Sequence, residues 1–141
     1  MNLSKWFFGL AFTGLLFHAA GLAPLAVAQE LTTPQQLSRA VDLENVSAEP
    51  NGAISGKLVN RTGYVIRDVK LMIDYAWIWR NDFKPGADNP GRTVYTTVQG
   101  DIGPHGESNF SFEPSPPLSS SDDGHFEPVV KVVGYTQMVP R

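Results

Sequence analysis

The chain contains no cysteine. A disulfide framework, a thiolate nucleophile and a cysteine-ligated metal are therefore all excluded. The domain must stand on an apolar core and hydrogen-bonded strands, without the cross-links that many small exported domains use. Charge is also sparse: charged residues make up 18% of the chain and the formal net charge is −3. No basic cluster is present, so nucleic acid is not an expected partner. No long helical periodicity runs through the sequence. In contrast, 13 glycines and 11 prolines are spread along 141 residues, which suits a fold rich in turns.

The first residues read as an address. Lys5 supplies a short positive region, and Trp6, Phe7, Phe8, Leu10, Phe12, Leu15, Leu16 and Phe17 form an uncharged apolar stretch. Ala26-Val27-Ala28 before Gln29 is the small-x-small pattern of a cleavage site. Residues 1–28 are therefore expected to be a cleaved signal peptide. The competing reading is a retained anchor, since a bilayer span needs about 20 apolar residues. No cysteine follows the small residues, which excludes lipid attachment of the bacterial lipoprotein type. After cleavage no stretch long enough to span a membrane remains, and the expected location is extracytoplasmic, periplasmic or secreted.

Residues 29–40 are polar and read as a flexible lead-in with at most a short helical turn after Thr33-Pro34. Strand signals then fill residues 41–141. Val41 and Leu43 alternate with Asp42 and Glu44. Asn51-Gly52 marks a turn, and Ile54, Gly56 and Leu58 alternate beyond it, which is a hairpin signal. The strongest period-two run is Val69, Leu71, Ile73, Tyr75, Trp77 and Trp79, with Asp68, Lys70 and Asp74 between. A run of this length predicts a bulge or bend within it. Pro85-Gly86 and Asn89-Pro90-Gly91 make residues 80–91 a long loop. A strand from Thr93, a turn at residues 103–106, and a strand carrying Phe110 and Phe112 follow. Residues 114–127 read as a loop, and Val129 to Val139 as a last strand with apolar residues on both faces. Six or seven short strands predict an all-β domain, an antiparallel immunoglobulin-like β-sandwich.

Three stretches resemble one family. Gly56-Lys57-Leu58-Val59-Asn60-Arg61-Thr62 is similar to a "G-x-hydrophobic-x-N-x-[ST]" strand end. Residues 65–75, ending in Ile73-Asp74-Tyr75, are similar to the strand that follows it. Ile102-Gly103-Pro104-His105-Gly106-Glu107-Ser108-Asn109-Phe110 is similar to an "I-x-P-G-x-x-x-x-F" turn and strand. Together they resemble the FxLYD-type immunoglobulin-like domains of bacterial envelope proteins. The eponymous Phe-x-Leu-Tyr-Asp string is absent, His105 interrupts the Pro-Gly pair, and the 80–91 loop is longer than the family's turn. The resemblance implies a sandwich fold and no catalytic residues, and fold alone does not imply function. Elementary chemistry reads the same residues structurally. Asn60 at a strand end suits hydrogen bonds to the next turn, and Gly63 suits a positive φ there.

Asp122, Asp123, His125 and Glu127 are close in sequence, but their spacing fits no calcium loop, so no metal site or cofactor is expected. Asp101 and His105 lie near each other, yet no Gly-x-Ser-x-Gly elbow accompanies them. No catalytic residue is assigned and an enzyme is not expected. The remaining candidates are aromatic and basic: Trp77 and Trp79 at the end of the long strand, Arg80 and Phe83 in the loop, and Arg92 after it. As an interaction surface they point to a protein partner, because loops carry function more often than cores do. As a platform of rings they point to a glycan or small ligand. Alternation with Asp74 favours a core role for Tyr75 and Trp77, with Trp79 partly exposed.

Overall fold

The structure, a computed structural model, describes residues 32–139. The expected signal peptide, residues 1–28, lies outside them. The described residues are all-β apart from one short helix: α1 (Pro34–Ala40), β1 (Val41–Ala48), β2 (Ile54–Asn60), β3 (Val65–Trp79), β4 (Arg92–Ile102), β5 (Glu107–Phe112) and β6 (Gly124–Met138). Among them no helix is long and apolar enough to cross a membrane.

The strands form two three-stranded antiparallel sheets, in the orders β1-β2-β5 and β4-β3-β6. Alternation dictates which faces meet. Val41, Ile54, Leu58 and Phe110 from the first sheet pack with Ile66, Val69, Leu71, Ile73, Tyr75 and Ile102 from the second in one core. Each fully buried aliphatic side chain there contributes about 1.5–3 kcal/mol.

The bulge expected in the long strand is at Asp68, whose φ of 51° is left-handed. The register with β4 slips between Arg67 and Val69. Ile66 and Val69, three apart rather than two, thereby both point into the core. β6 resolves its two apolar faces in the same way. Leu71 pairs with Val132 and Lys70 with Gly134, leaving Val133 as an extra residue. Past that point the inward face changes parity, and Tyr135 joins Val130 and Val132 against the core.

Three local expectations are corrected. The lead-in holds a full helix, because Thr33 and Gln36 form a reciprocal capping box, Pro34 occupies the first turn, and Leu37 is buried. The last strand begins at Gly124 rather than Val129. Pro128 is tolerated within it because β6 is an edge strand whose outer side donates to no ladder. Gly63 does not adopt a positive φ; the left-handed residue in the adjoining turn is His105, at 55°. The hairpin turn does behave as read, with Gly52 at φ 87° and its N–H donating to Glu49 O at 2.9 Å.

Asn60 closes one end of the molecule. Its side chain is 0% exposed. Nδ2 lies within donating distance of Tyr64 O (2.8 Å), Gly103 O (2.8 Å) and Ile102 O (3.1 Å), and Oδ1 accepts from the N–H and hydroxyl of Thr62. One amide thus joins β2, the following turn and the β4–β5 turn.

Candidate functional site

The other end of β3 is built differently. β4 accompanies β3 only as far as the Tyr75–Arg92 pair, whereas β6 continues to Trp79–Gly124. The chain between, residues 80–91, leaves the sheet because its prolines cannot donate to a ladder and its glycines favour turning. Its base is held by the Arg80 N–H, which donates to Asp123 O at 2.7 Å. Asn81 then organises the tip. Its side-chain Oδ1 accepts from the Phe83 N–H at 3.0 Å, and its carbonyl accepts from the Lys84 N–H at 3.1 Å. This turn places Phe83 in solvent, 97% exposed. Behind it Gly86 lies on the Trp79 ring so closely that a Cβ would come within 2.7 Å of Cη2. Trp79 is consequently half-buried beneath its own loop.

Trp77 belongs to the interior and is 7% exposed. Its ring meets Trp79 edge-on at 5.8 Å and Phe126 at 4.7 Å. Its Nε1 is buried with no hydrogen-bond partner among the described residues. A buried donor left so costs about 1–3 kcal/mol. Tyr75, one alternation earlier, is satisfied: its hydroxyl donates to Gly52 O at 2.6 Å. Burial pushes its phenol pKa above the ordinary value, and the nearby Arg92 charge offsets part of that shift. Arg92 itself is half-buried, with Nη2 donating to Pro116 O and Nε buried without a partner. Between Arg92, Asp74, Ala76, Trp77 and Asn89 runs a groove of about 360 Å³.

The five sequence-derived residues thus fall in three places. Arg80 and Phe83 are exposed on the loop, Trp79 lies under it, and Trp77 and Arg92 are engaged in the body of the fold. Comparison of the chain with family models, with curated proteins and with solved structures returned no match. Asp101, weighed above with His105, pairs with Arg67 at 2.8 Å, and His105 takes the left-handed position of the β4–β5 turn. His125 lies 3.5 Å from Glu127, both largely exposed. No group of three or more His, Asp or Glu side chains among the described residues is arranged to hold a metal ion.

Sequence reasoning passed over Phe126 and Leu118, which pack against the core from a stretch read entirely as loop. Phe126 had a signal: it is in phase with Pro128, Val130 and Val132 on the inward face of β6. Leu118, between prolines and serines, had none.

Proposed function

We propose that the chain is an exported, non-catalytic immunoglobulin-like sandwich module of the FxLYD kind, which contacts a partner protein in the cell envelope through residues 80–91. The observation that carries this reading is Phe83. Single exposed apolar side chains are common on protein surfaces, but this ring, 97% exposed, stands at the tip of a long loop. Here it is held in solvent by a hydrogen-bonded turn whose stem rests on Trp79. Aromatic side chains, Phe among them, are enriched at the centres of protein interfaces. Arg80, Asp82 and Lys84 surround it with exposed charge of both signs, as at an interface rim. The leader-like residues 1–28 support the location, and the three family-like stretches support the fold type.

A photo-crosslinking side chain at position 83, in cells expressing the full chain, tests this. The expected result is one dominant protein adduct that is absent when the crosslinker replaces Tyr95, exposed on the outer face of β4. Equal or no adduct at the two positions, in folded protein, would defeat the reading.

A further inference from the structure

The edge of a sheet exposes unpaired N–H and C=O groups, and folded proteins blunt such edges with proline, charge, bulges or short length. Three of the four edge strands here are blunted. β6 carries Pro128 beside Glu127, with Lys131 beyond. β1 carries Asp42 and Glu44, and its ladder slips at Asn45, whose φ of 52° is left-handed. β5 is only 6 residues long and begins with Glu107. β4 is the exception. Among the described residues no strand pairs with its outer side. From Thr93 to Val98 it reads Thr-Val-Tyr-Thr-Thr-Val, β-branched or aromatic throughout, with no charge, proline or glycine. That is the composition of strands that pair with their own kind. Arg92 bounds the run on one side. On the other, the register slip against β3 and Gly100, at φ 105°, end the regular ladder.

The occupant that suits this edge is the same strand from a second copy. Val94 and Val98 face inward, opposite Ile73 and Val69, while Tyr95 and Thr97 face outward, opposite Met72 and Lys70. Two β4 strands laid antiparallel about Thr96 set Val94 against Val98 on the inner face and Tyr95 against Thr97 on the outer face. Aromatic and β-branched residues are favourable partners across strands. Charge selects the same orientation. Arg92 and Asp101 bracket the run, so an antiparallel copy brings the positive end of one strand to the negative end of the other, twice. A parallel copy would bring Arg92 to Arg92. The contact is isologous and self-limiting: it consumes the unblunted edge of both copies, and Pro128 guards the β6 strands left outermost. We propose that the outer edge of β4 pairs antiparallel with β4 of a second copy, joining two sheets into one of order β6-β3-β4-β4-β3-β6. A ladder this short buries less than the roughly 1,200 Å² of a standard interface, so the dimer forms in a concentration-dependent equilibrium. This inference does not rest on the role of Phe83.

Because the chain has no cysteine, single introduced cysteines report the pairing directly. Protein expressed from the full chain as Tyr95→Cys is mixed with the Thr97→Cys variant and mildly oxidised. A mixed disulfide dimer is expected, in excess of that from either variant alone and of that from Ser47→Cys on the exposed part of β1. Sedimentation of the unsubstituted protein should show its mass doubling as concentration rises. Tyr95→Lys, which charges the edge, should weaken dimerisation at least ten-fold. Thr97→Lys serves if that variant loses its cooperative unfolding, and should also weaken it. Phe83→Ala should dimerise unchanged. A photo-crosslinker at position 95 should join the chain to itself, an adduct distinct in mass from a partner adduct at position 83. A monomer at all concentrations up to about 1 mM, disulfide formation no better than with Ser47→Cys, a dimer indifferent to both lysine variants, or a dimer lost in Phe83→Ala would each overturn the proposal.

Discussion

The two ends of β3 lie roughly 45 Å apart along the strand, at about 3.3 Å per residue, and they are built in different ways. At the Val65 end, the turns are joined by a fully buried asparagine with every polar atom engaged. At the Trp79 end, the sheet loses a strand and a loop departs; Trp77 Nε1 and Arg92 Nε are buried there without a partner among the described residues, as Arg67 Nε is nearer the Val65 end. A ring stands in solvent and a cavity opens between the sheets. One end is built for closure, where a missing bond is expensive. The other gives up a strand to a loop, an exposed ring and a cavity.

The largest effect should come from breaking the closed end. Asn60→Ala strands the carbonyls of Tyr64, Ile102 and Gly103 and the Thr62 N–H, and should cost about 3 kcal/mol in urea unfolding. At the open end, Tyr75→Phe removes one bond and leaves Gly52 O beside a cavity that water can enter. A smaller loss of about 1–2 kcal/mol is expected. This variant also changes the alkaline limb. Because the folded phenol pKa is raised, the unfolded chain releases that proton first. Stability should be intact below the ordinary tyrosine range near pH 10 and fall as pH rises through it. In Tyr75→Phe that contribution to the decline should vanish; an unaltered slope would mean that other groups govern it.

His105→Gly sharpens the comparison in the opposite direction. The left-handed φ of 55° costs an ordinary residue roughly 1–2 kcal/mol, so glycine should raise stability by about 1 kcal/mol, read as a higher melting temperature. Phe83→Ala should be the quietest, within about 0.5 kcal/mol of the parent, while abolishing partner contact. A large destabilisation instead would show that the exposed ring is part of the fold.

Particular residues show how far the sequence could be followed. The Asn51-Gly52 hairpin, the turn chemistry of Asn60 and the burial of alternate residues from Val69 to Trp77 were all legible, because each depends on a few neighbours along the chain. The capping box at Thr33 and Gln36 was equally local, but its helix needed Leu37 to find a pocket before it was worth forming. The start of β6 was misread because Pro128 signals a break, and only membership of an edge strand makes it harmless. The candidate loop was delimited correctly and Trp77 was read as core, yet nothing local showed that its ring would lie against Phe126 of another strand.

By itself, then, the sequence determined a cysteine-free, turn-rich chain of alternating strands, since period two and turn residues act over a few positions. Only the tertiary structure decided where β4 abandons β3, which rings are covered, which donors are orphaned, and that Leu118 and Phe126 enclose a cavity with Trp77. Those outcomes depend on side chains that meet across sheets from distant parts of the chain, and no local pattern encodes such meetings.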